Sequence, residues 1–120
     1  ELELEVGEND SLAAMVAYLI KADLLIIMSD IDGMYNKNPR IYKDAKLISR
    51  VDAITDEIRA AAGDAGTSLG TGGMATKIHA AEITMSHGID MLIINGDRPK
   101  NLYDVFDGKE IGTLFSRKKD

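Results

Sequence analysis

The sequence predicts an α/β fold in which a mostly parallel sheet carries helices on both faces. Two short, continuous apolar runs, Leu24 to Met28 and Met91 to Ile94, are typical of strands that are buried on both faces. Segments with helical spacing of apolar residues lie between such runs and are joined by short polar connections. With 120 residues, of which 45% are hydrophobic, the chain is expected to fold as one domain around one core.

The chain opens with a predicted strand and a predicted helix. Leucine or valine alternates with glutamate over residues 1–6, which is the period of a half-buried strand. The segment from Ser11 to Ala22 is apolar almost all round, and Asn9 and Asp10 are suitable helix-capping residues before it, so it predicts a buried helix. The strand from Leu24 to Met28 then follows.

The remaining elements continue the alternation of strands and helices. Glycine and proline punctuate them, with Gly88 and Gly108 placed where helices end. In order they are a turn at Asp32 and Gly33, a surface loop from Asn36 to Asp44, a helix from Asp52 to Ala62, a glycine-rich loop from Gly63 to Gly73, a helix with apolar positions from Met74 to Met85, the strand Met91 to Ile94, a helix between Pro99 and Gly108, and a final strand from Ile111 to Phe115.

Composition and charge exclude several classes of function. The chain has no cysteine, so disulfides, thiolate metal sites and a catalytic thiol are excluded, and the cytoplasm is the simplest location. A net charge of −6 argues against a nucleic-acid-binding face, and no apolar run is long enough to cross a membrane. His79 and His87 are eight residues apart, which is not the spacing of a zinc pair. The start at Glu1 predicts that the chain is part of a longer protein.

The segment from Gly66 to Lys77 is the strongest chemical signal. Its glycines allow backbone N–H groups to approach a phosphate, and the helix that follows adds a favourable dipole. Lys77 is expected in the first helical turn, where a cation opposes the dipole unless an anion is bound. The alternative is a flexible loop with a solvated lysine. The segment is not a Walker A loop, because Lys77 lies between Thr76 and Ile78.

Two polar pairs follow predicted strands, and each has a structural and a functional interpretation. Ser29 and Asp30 end a buried strand, where a carboxylate can orient a lysine or hold a metal through water. Asn9 and Asp10 can cap a helix, or they can hold a zwitterionic substrate through amide and carboxylate groups. For Asp32 and Gly33 a turn is the favoured interpretation.

Four motifs follow one another along the chain, namely Gly7-Glu8-Asn9-Asp10, Ser29-Asp30-Ile31-Asp32-Gly33-Met34-Tyr35, Gly70-Thr71-Gly72-Gly73-Met74-Ala75-Thr76-Lys77 and Gly112-Thr113-Leu114-Phe115. Together these motifs resemble the glutamate 5-kinase family of the amino-acid kinase superfamily, and the resemblance spans nearly the whole chain. It implies a three-layer α/β/α sandwich and transfer of the γ-phosphoryl group of ATP, with Mg²⁺, to the side-chain carboxylate of L-glutamate, the first step of proline biosynthesis.

The resemblance also implies a role for individual residues. Asn9 and Asp10 would contact glutamate, and Asp10 would also organise catalytic lysines. Lys77 would stabilise the transferring phosphoryl group. The implied ATP-binding residues are Ser29, Asp30, Thr71, Gly72, Gly73, Met74, Ala75, Thr76 and Lys77. No metal-binding residue is assigned, and a homo-oligomer is expected.

Two departures from the family pattern leave alternatives open. Asn38 precedes Pro39 where the family usually has an aspartate, and the first half of the family's kinase domain has no counterpart in these residues. The chain is therefore expected to be the C-terminal, nucleotide-binding part of the domain. Alternatives are a kinase for N-acetylglutamate, aspartate or a nucleoside monophosphate, an ATP-binding fragment without catalysis, and an unrelated α/β scaffold.

Overall fold

The computed structural model describes residues 5–6, 10–37, 39–64 and 73–117. Within these ranges the chain alternates short strands with helices. The elements are β1 (Glu5–Val6), α1 (Asp10–Leu19), β2 (Leu24–Ser29), β3 (Arg50–Val51), α2 (Asp56–Asp64), α3 (Gly73–Ser86), β4 (Asp90–Asn95), α4 (Pro99–Phe106) and β5 (Thr113–Phe115). None of the helices described is long and apolar enough to cross a membrane.

The five strands form one sheet in the order β1-β2-β4-β5-β3. The pairs β1/β2, β2/β4 and β3/β5 are parallel, and only β4/β5 is antiparallel. The two apolar runs predicted as central strands are direct neighbours, and their register runs from Leu24 opposite Asp90 to Ser29 opposite Asn95. The predicted mostly parallel sheet is therefore confirmed. The two-residue strand β3 was not predicted, because it is too short to show a period.

Helices cover both faces of the sheet, so the predicted three-layer arrangement is confirmed. On one face, α1, α2 and α3 pack over Ile27 and Ile93 in the larger core. Helix α1 contributes alanines to this core, and α3 contributes Met74, Ile78, Ala80, Ala81 and Met85. On the other face, Ile26, Leu92 and Ile94 pack against residues of α4. Alternate residues of β2 and β4 thus enter different cores, which explains why both strands read as continuous apolar runs.

Helices α3 and α4 end in the same hydrogen-bonded motif. After α3, Ile89 N donates to Thr84 O, and the residue before it, Gly88, has a φ of 74°. After α4, Gly108 occupies the same position with a φ of 83°. These are Schellman ends, and glycine favours them because it adopts positive φ without strain.

Two predicted helix boundaries were wrong. The first helix was expected to reach Ala22 but ends at Leu19, because Lys21 takes a φ of 57° and Ala22 N donates back to Ala17 O. A non-glycine residue at this position gives no signal in the sequence. The helix expected from Asp52 begins at Asp56, and Arg50–Val51 pairs with β5 instead.

Candidate functional site

Polar side chains collect at one edge of the sheet. Asp10 begins the helix after β1, Ser29 ends β2 and Asn95 ends β4. Because β1, β2 and β4 are parallel neighbours, the carboxyl ends of all three lie along the same edge. In open parallel sheets this edge is where ligands bind. Lys77 reaches the same edge from α3, which packs beside α1.

Lys77 and Asp10 form a buried ion pair. Lys77 Nζ donates to Asp10 Oδ2 at 3.1 Å, and the two side chains are 10% and 1% exposed. Two charges removed from water in this way are stable only if they compensate each other. The pair therefore fixes the position of one positive charge at the edge of the sheet.

The second oxygen of Asp10 is available to accept a hydrogen bond. Asp10 Oδ1 is buried, and no donor among the described residues reaches it. A buried acceptor without a partner carries a free-energy cost of about 1–3 kcal/mol, so such atoms are uncommon outside functional sites. An ammonium or amide group of a ligand would satisfy it.

The sequence-based account of Lys77 needs two corrections. Lys77 is the fifth residue of the observed helix α3, so it lies just beyond the first turn. Its counter-charge is Asp10, so no bound anion is needed to account for a cation near the helix start. The alternative of a solvated lysine is also wrong, since Lys77 is 8% exposed.

Ser29 and Asp30 begin a structured turn at the carboxyl end of β2. The Ser29 hydroxyl accepts a hydrogen bond from Ile31 N at 3.3 Å, and the Ser29 carbonyl accepts one from Gly96 N at 2.7 Å. Ser29 is buried while Asp30 is exposed. The turn therefore presents the Asp30 carboxylate to solvent from a backbone that is tied to β4.

Asp32 is more than a turn former. Its Oδ1 accepts a hydrogen bond from Asn95 Nδ2 at 3.0 Å, which links the loop after β2 to the end of β4. The Tyr35 phenol also interacts with this carboxylate. Partial burial, followed by the negative charge of Asp32 and a hydrogen bond to it, raises the pKa of the Tyr35 phenol above its usual value.

Thr113 anchors the same loop from β5. Its hydroxyl accepts a hydrogen bond from Met34 N at 2.8 Å and donates one to Ile48 O at 2.6 Å. A Cβ atom on Gly33 would lie 2.6 Å from Thr113 Oγ1, so a larger residue would displace this contact. The final strand, including the Gly112-Thr113-Leu114-Phe115 motif, therefore supports the candidate site although it contributes no group to its surface.

The predicted phosphate-binding residues are only partly described. Asn9, Thr71 and Gly72 lie outside the described residues. Gly73 begins α3, Ala75 is exposed and Thr76 is half-buried. The Met74 side chain belongs to the core, so only its backbone can face a ligand. Backbone N–H groups in the first turn of a helix have no intrahelical partner and favour anions.

The candidate site lacks a preformed metal cage in the part of the chain that the structure describes. No group of three or more His, Asp or Glu side chains there could hold an ion. His79 lies 3.9 Å from Glu82, and the His87 ring stacks on Tyr18, so the two histidines have separate surroundings.

Sequence comparison identifies the family. Residues 1–95 match the profile described as the amino acid kinase family. The chain belongs to this family. A glutamate 5-kinase from Clostridium tetani is 58% identical over 114 residues, which cover 95% of this chain and 43% of that protein. A glutamate 5-kinase from Clostridium perfringens is 50% identical over 116 residues, again covering 43% of its length. The chain thus spans less than half of these relatives.

Solved structures of a UMP kinase and an isopentenyl phosphate kinase share the fold. A UMP kinase from Bacillus anthracis superposes with a TM-score of 0.67 at 15% identity, covering 92% of this chain and 41% of that one. An isopentenyl phosphate kinase from T. acidophilum gives a TM-score of 0.63 at 25% identity, covering 88% and 38% of the two chains. The predicted amino-acid kinase-like α/β fold is confirmed by these likenesses.

Two contributors to the candidate site were missed by the sequence analysis. Asn95 was not singled out, although it is a polar residue at the end of an apolar strand, and Thr113 was quoted within the Gly112-Thr113-Leu114-Phe115 motif without a role of its own. A polar residue that follows the buried run Met91 to Ile94 is a usable signal for Asn95. Thr113 has no comparable signal, because its importance depends on the pairing of β5 with β4.

Proposed function

We propose that this chain is the nucleotide-binding part of a glutamate 5-kinase, which transfers the γ-phosphoryl group of ATP to the side-chain carboxylate of L-glutamate and yields γ-glutamyl phosphate for proline biosynthesis. The buried pair of Lys77 and Asp10 carries the proposal, because it holds a cation at the ligand-binding edge of the sheet. The glutamate 5-kinases that match 95–97% of this chain support the choice of acceptor.

In this proposal Lys77 neutralises charge on the transferring phosphoryl group. Phosphoryl transfer depends mainly on bringing two anions into line and on stabilising charge that spreads over the equatorial oxygens. A cation held by a buried carboxylate is preorganised, so little free energy is spent on orienting it during the reaction. Asp10 positions Lys77 through Oδ2 at 3.1 Å.

The remaining groups bind the two substrates. Asn9 and Asp10 bind glutamate, and Oδ1 of Asp10, which has no hydrogen-bond partner among the described residues, is available to a positively charged donor. Ser29 and Asp30 bind the nucleotide at the adjacent strand end. Residues 71–77 surround the phosphates, and backbone N–H groups at the start of α3 contribute favourable dipoles.

Mg²⁺ is proposed to enter with ATP. Magnesium in such sites keeps several waters and is held by one or two carboxylates together with substrate phosphates. The residues that the structure describes offer no group of three carboxylates or histidines, and this arrangement requires none. The ion would neutralise phosphate charge, while Lys77, positioned by Asp10, acts on the transferring group.

We also propose that the protein is located in the cytoplasm and that it forms a homo-oligomer. Large apolar side chains on α1 remain exposed, including Leu12 at 55%, Met15 at 54% and Leu19 at 74%. Exposed apolar side chains of this kind are typical of a contact surface, which in a chain that spans 43% of these relatives faces either the rest of the same protein or a second copy. Sedimentation of the full-length enzyme, with Leu19→Glu as the variant, tests whether this surface faces a second copy.

Formation of acyl phosphate, trapped as the hydroxamate, tests the activity. Glutamate, aspartate and N-acetylglutamate are offered separately with Mg-ATP. The enzyme is assayed as this chain alone and as a chimera in which these residues replace the matching segment of the Clostridium tetani relative. We expect product with glutamate only. Product with another acceptor instead of glutamate would refute the assignment, and ATP binding without product in both proteins would identify a nucleotide-binding fragment.

Variants of the chimera test the role of Lys77. Lys77→Ala is expected to lower kcat about 10²-fold or more, as loss of one preorganised donor does in other enzymes. Lys21→Asn is the control, because it also removes one positive charge, but at the amino-terminal ends of the strands. Asparagine tolerates the positive φ of that position. A near-normal kcat in Lys77→Ala would remove Lys77 from the catalytic role.

A further inference from the structure

We infer that Asn95 is a positioning residue that holds the turn from Ser29 to Asp32 in place for the nucleotide through its hydrogen bond to Asp32. The inference rests on the proposed function, in which Ser29 and Asp30 bind ATP. It concerns a residue of β4 that has no place in the motifs of the sequence analysis.

Both polar atoms of the Asn95 carboxamide make hydrogen bonds. Its Nδ2 donates to Asp32 Oδ1 at 3.0 Å, and its Oδ1 accepts from Asp97 N at 2.8 Å. Rotation of the amide by half a turn would place an oxygen against the Asp32 carboxylate and an NH₂ against a backbone N–H. The orientation of the side chain is therefore determined by its surroundings.

The backbone brings Asn95 close enough to act on the turn. Asn95 lies opposite Ser29 in the register of β2 and β4, and Gly96 N donates to Ser29 O at 2.7 Å. A Cβ atom on Gly96 would lie 2.9 Å from the Cβ of Met28, so the two strand ends approach as closely as glycine permits. The turn is thus attached to β4 at Ser29 through the backbone and at Asp32 through the Asn95 side chain.

Asp32 is held by neutral groups. Among the described residues it makes no ion pair, and its neighbours are the Asn95 amide and the Tyr35 phenol. Hydrogen bonds to a carboxylate are stronger than those between neutral groups, so loss of the Asn95 donor should release the turn. Asp30, two residues before Asp32, would then lose its fixed position relative to the nucleotide.

A purely structural alternative is that Asn95 only supports the start of α4. Asn101 Nδ2 donates to Asn95 O at 3.1 Å, and the residue before the helix, Arg98, provides no side-chain cap. The two roles use different atoms. Asn95→Asp keeps the acceptor for Asp97 N but turns an oxygen towards Asp32, whereas Asn101→Asp makes the same chemical change on α4 and leaves Asp32 untouched.

The test compares Asn95→Asp, Asn101→Asp and the exchanged pair Asn95→Asp/Asp32→Asn in the chimera. Asn95→Asp is expected to raise KM for ATP roughly tenfold or more while KM for glutamate stays within about twofold, as loss of a charge-assisted hydrogen bond at the nucleotide side predicts. A lower pH should bring the KM of Asn95→Asp for ATP part of the way back to the parent value, because one of the two facing carboxyls then takes up a proton. Asn101→Asp should leave both KM values unchanged.

The exchanged pair separates positioning from folding. An amide at position 32 can donate to a carboxylate at position 95, so the hydrogen bond returns with reversed polarity and KM for ATP is expected to return to within about threefold of the parent value. Thermal midpoints are measured for every variant. A pair that regains its midpoint without regaining ATP affinity overturns the inference, as does an unchanged KM in Asn95→Asp. Failure of the parent chimera to bind ATP would refute the proposed function itself, and the inference with it.

Discussion

Lys77→Met should destabilise the protein strongly because it leaves a buried carboxylate without its counter-charge. Methionine keeps most of the length of the lysine side chain and removes only the ammonium group. Asp10 is 1% exposed, its Oδ2 would lose a donor at 3.1 Å, and its Oδ1 has no partner among the described residues. The substitution therefore isolates the electrostatic part of the contact.

The expected loss follows from the geometry of the pair. At 3.1 Å, with an effective dielectric constant of about 20, Coulomb's law gives an attraction of about 5 kcal/mol between the two charges. Removal of one partner of a buried pair costs about 3–5 kcal/mol in comparable proteins. A typical domain is stable by about 5–15 kcal/mol, so the variant should lose a large part of its free energy of unfolding.

Urea unfolding followed by circular dichroism measures this loss. Lys37→Met is the control, because Lys37 pairs with Asp44 at 2.8 Å on the surface, where the Asp44 side chain is 74% exposed, and we expect no resolvable change. Asp10→Asn/Lys77→Met removes both charges and should recover most of the stability lost by Lys77→Met alone. The explanation fails if Lys77→Met costs less than about 1 kcal/mol, or if the double variant is as unstable as the single one.

Three further predictions concern the loop after β2 and its supports. Thr113→Val should cost about 1–3 kcal/mol of unfolding free energy, measured by urea titration, because two backbone groups lose their partner. Gly112→Ala, at a φ of 72° against a carbonyl of β4, should lower the thermal midpoint more than Gly108→Ala, which has a φ of 83° and open space around it. Asp32→Asn should lower the pKa of Tyr35, read from phenolate absorbance with Tyr35→Phe as the blank. Because that pKa is raised in the folded state, its contribution to stability is present below the ordinary tyrosine pKa and is lost as pH rises through the raised value.

The parts of the fold that could be predicted are those with a local signal. The runs in β2 and β4 are apolar on both faces, and glycine marks the ends of α3 and α4. The early end of α1 could not be predicted, because its left-handed residue is Lys21 rather than glycine. The short strand β3 exists only through its pairing with β5, which is a long-range contact.

The residues of the candidate site were also predictable only in part. Polar residues after buried strands pointed to the carboxyl edge of the sheet, so Asp10, Ser29 and Asp30 could be selected from the sequence. Their partners could not be selected from spacing alone, since Lys77 contacts Asp10 across 67 residues and Asn95 contacts Asp32 across 63 residues. Only the strand order β1-β2-β4, which the sequence does not specify, brings these groups to one edge.

The features at this edge oppose stability more than they support it. A buried ion pair is often no more stable than a well-packed apolar pair of similar volume, and Asp10 Oδ1, which no donor of the described residues reaches, carries a further cost. Asp10→Leu/Lys77→Met replaces the ion pair with apolar side chains, so we expect this variant to fold at least as stably as the parent while losing the proposed phosphoryl transfer.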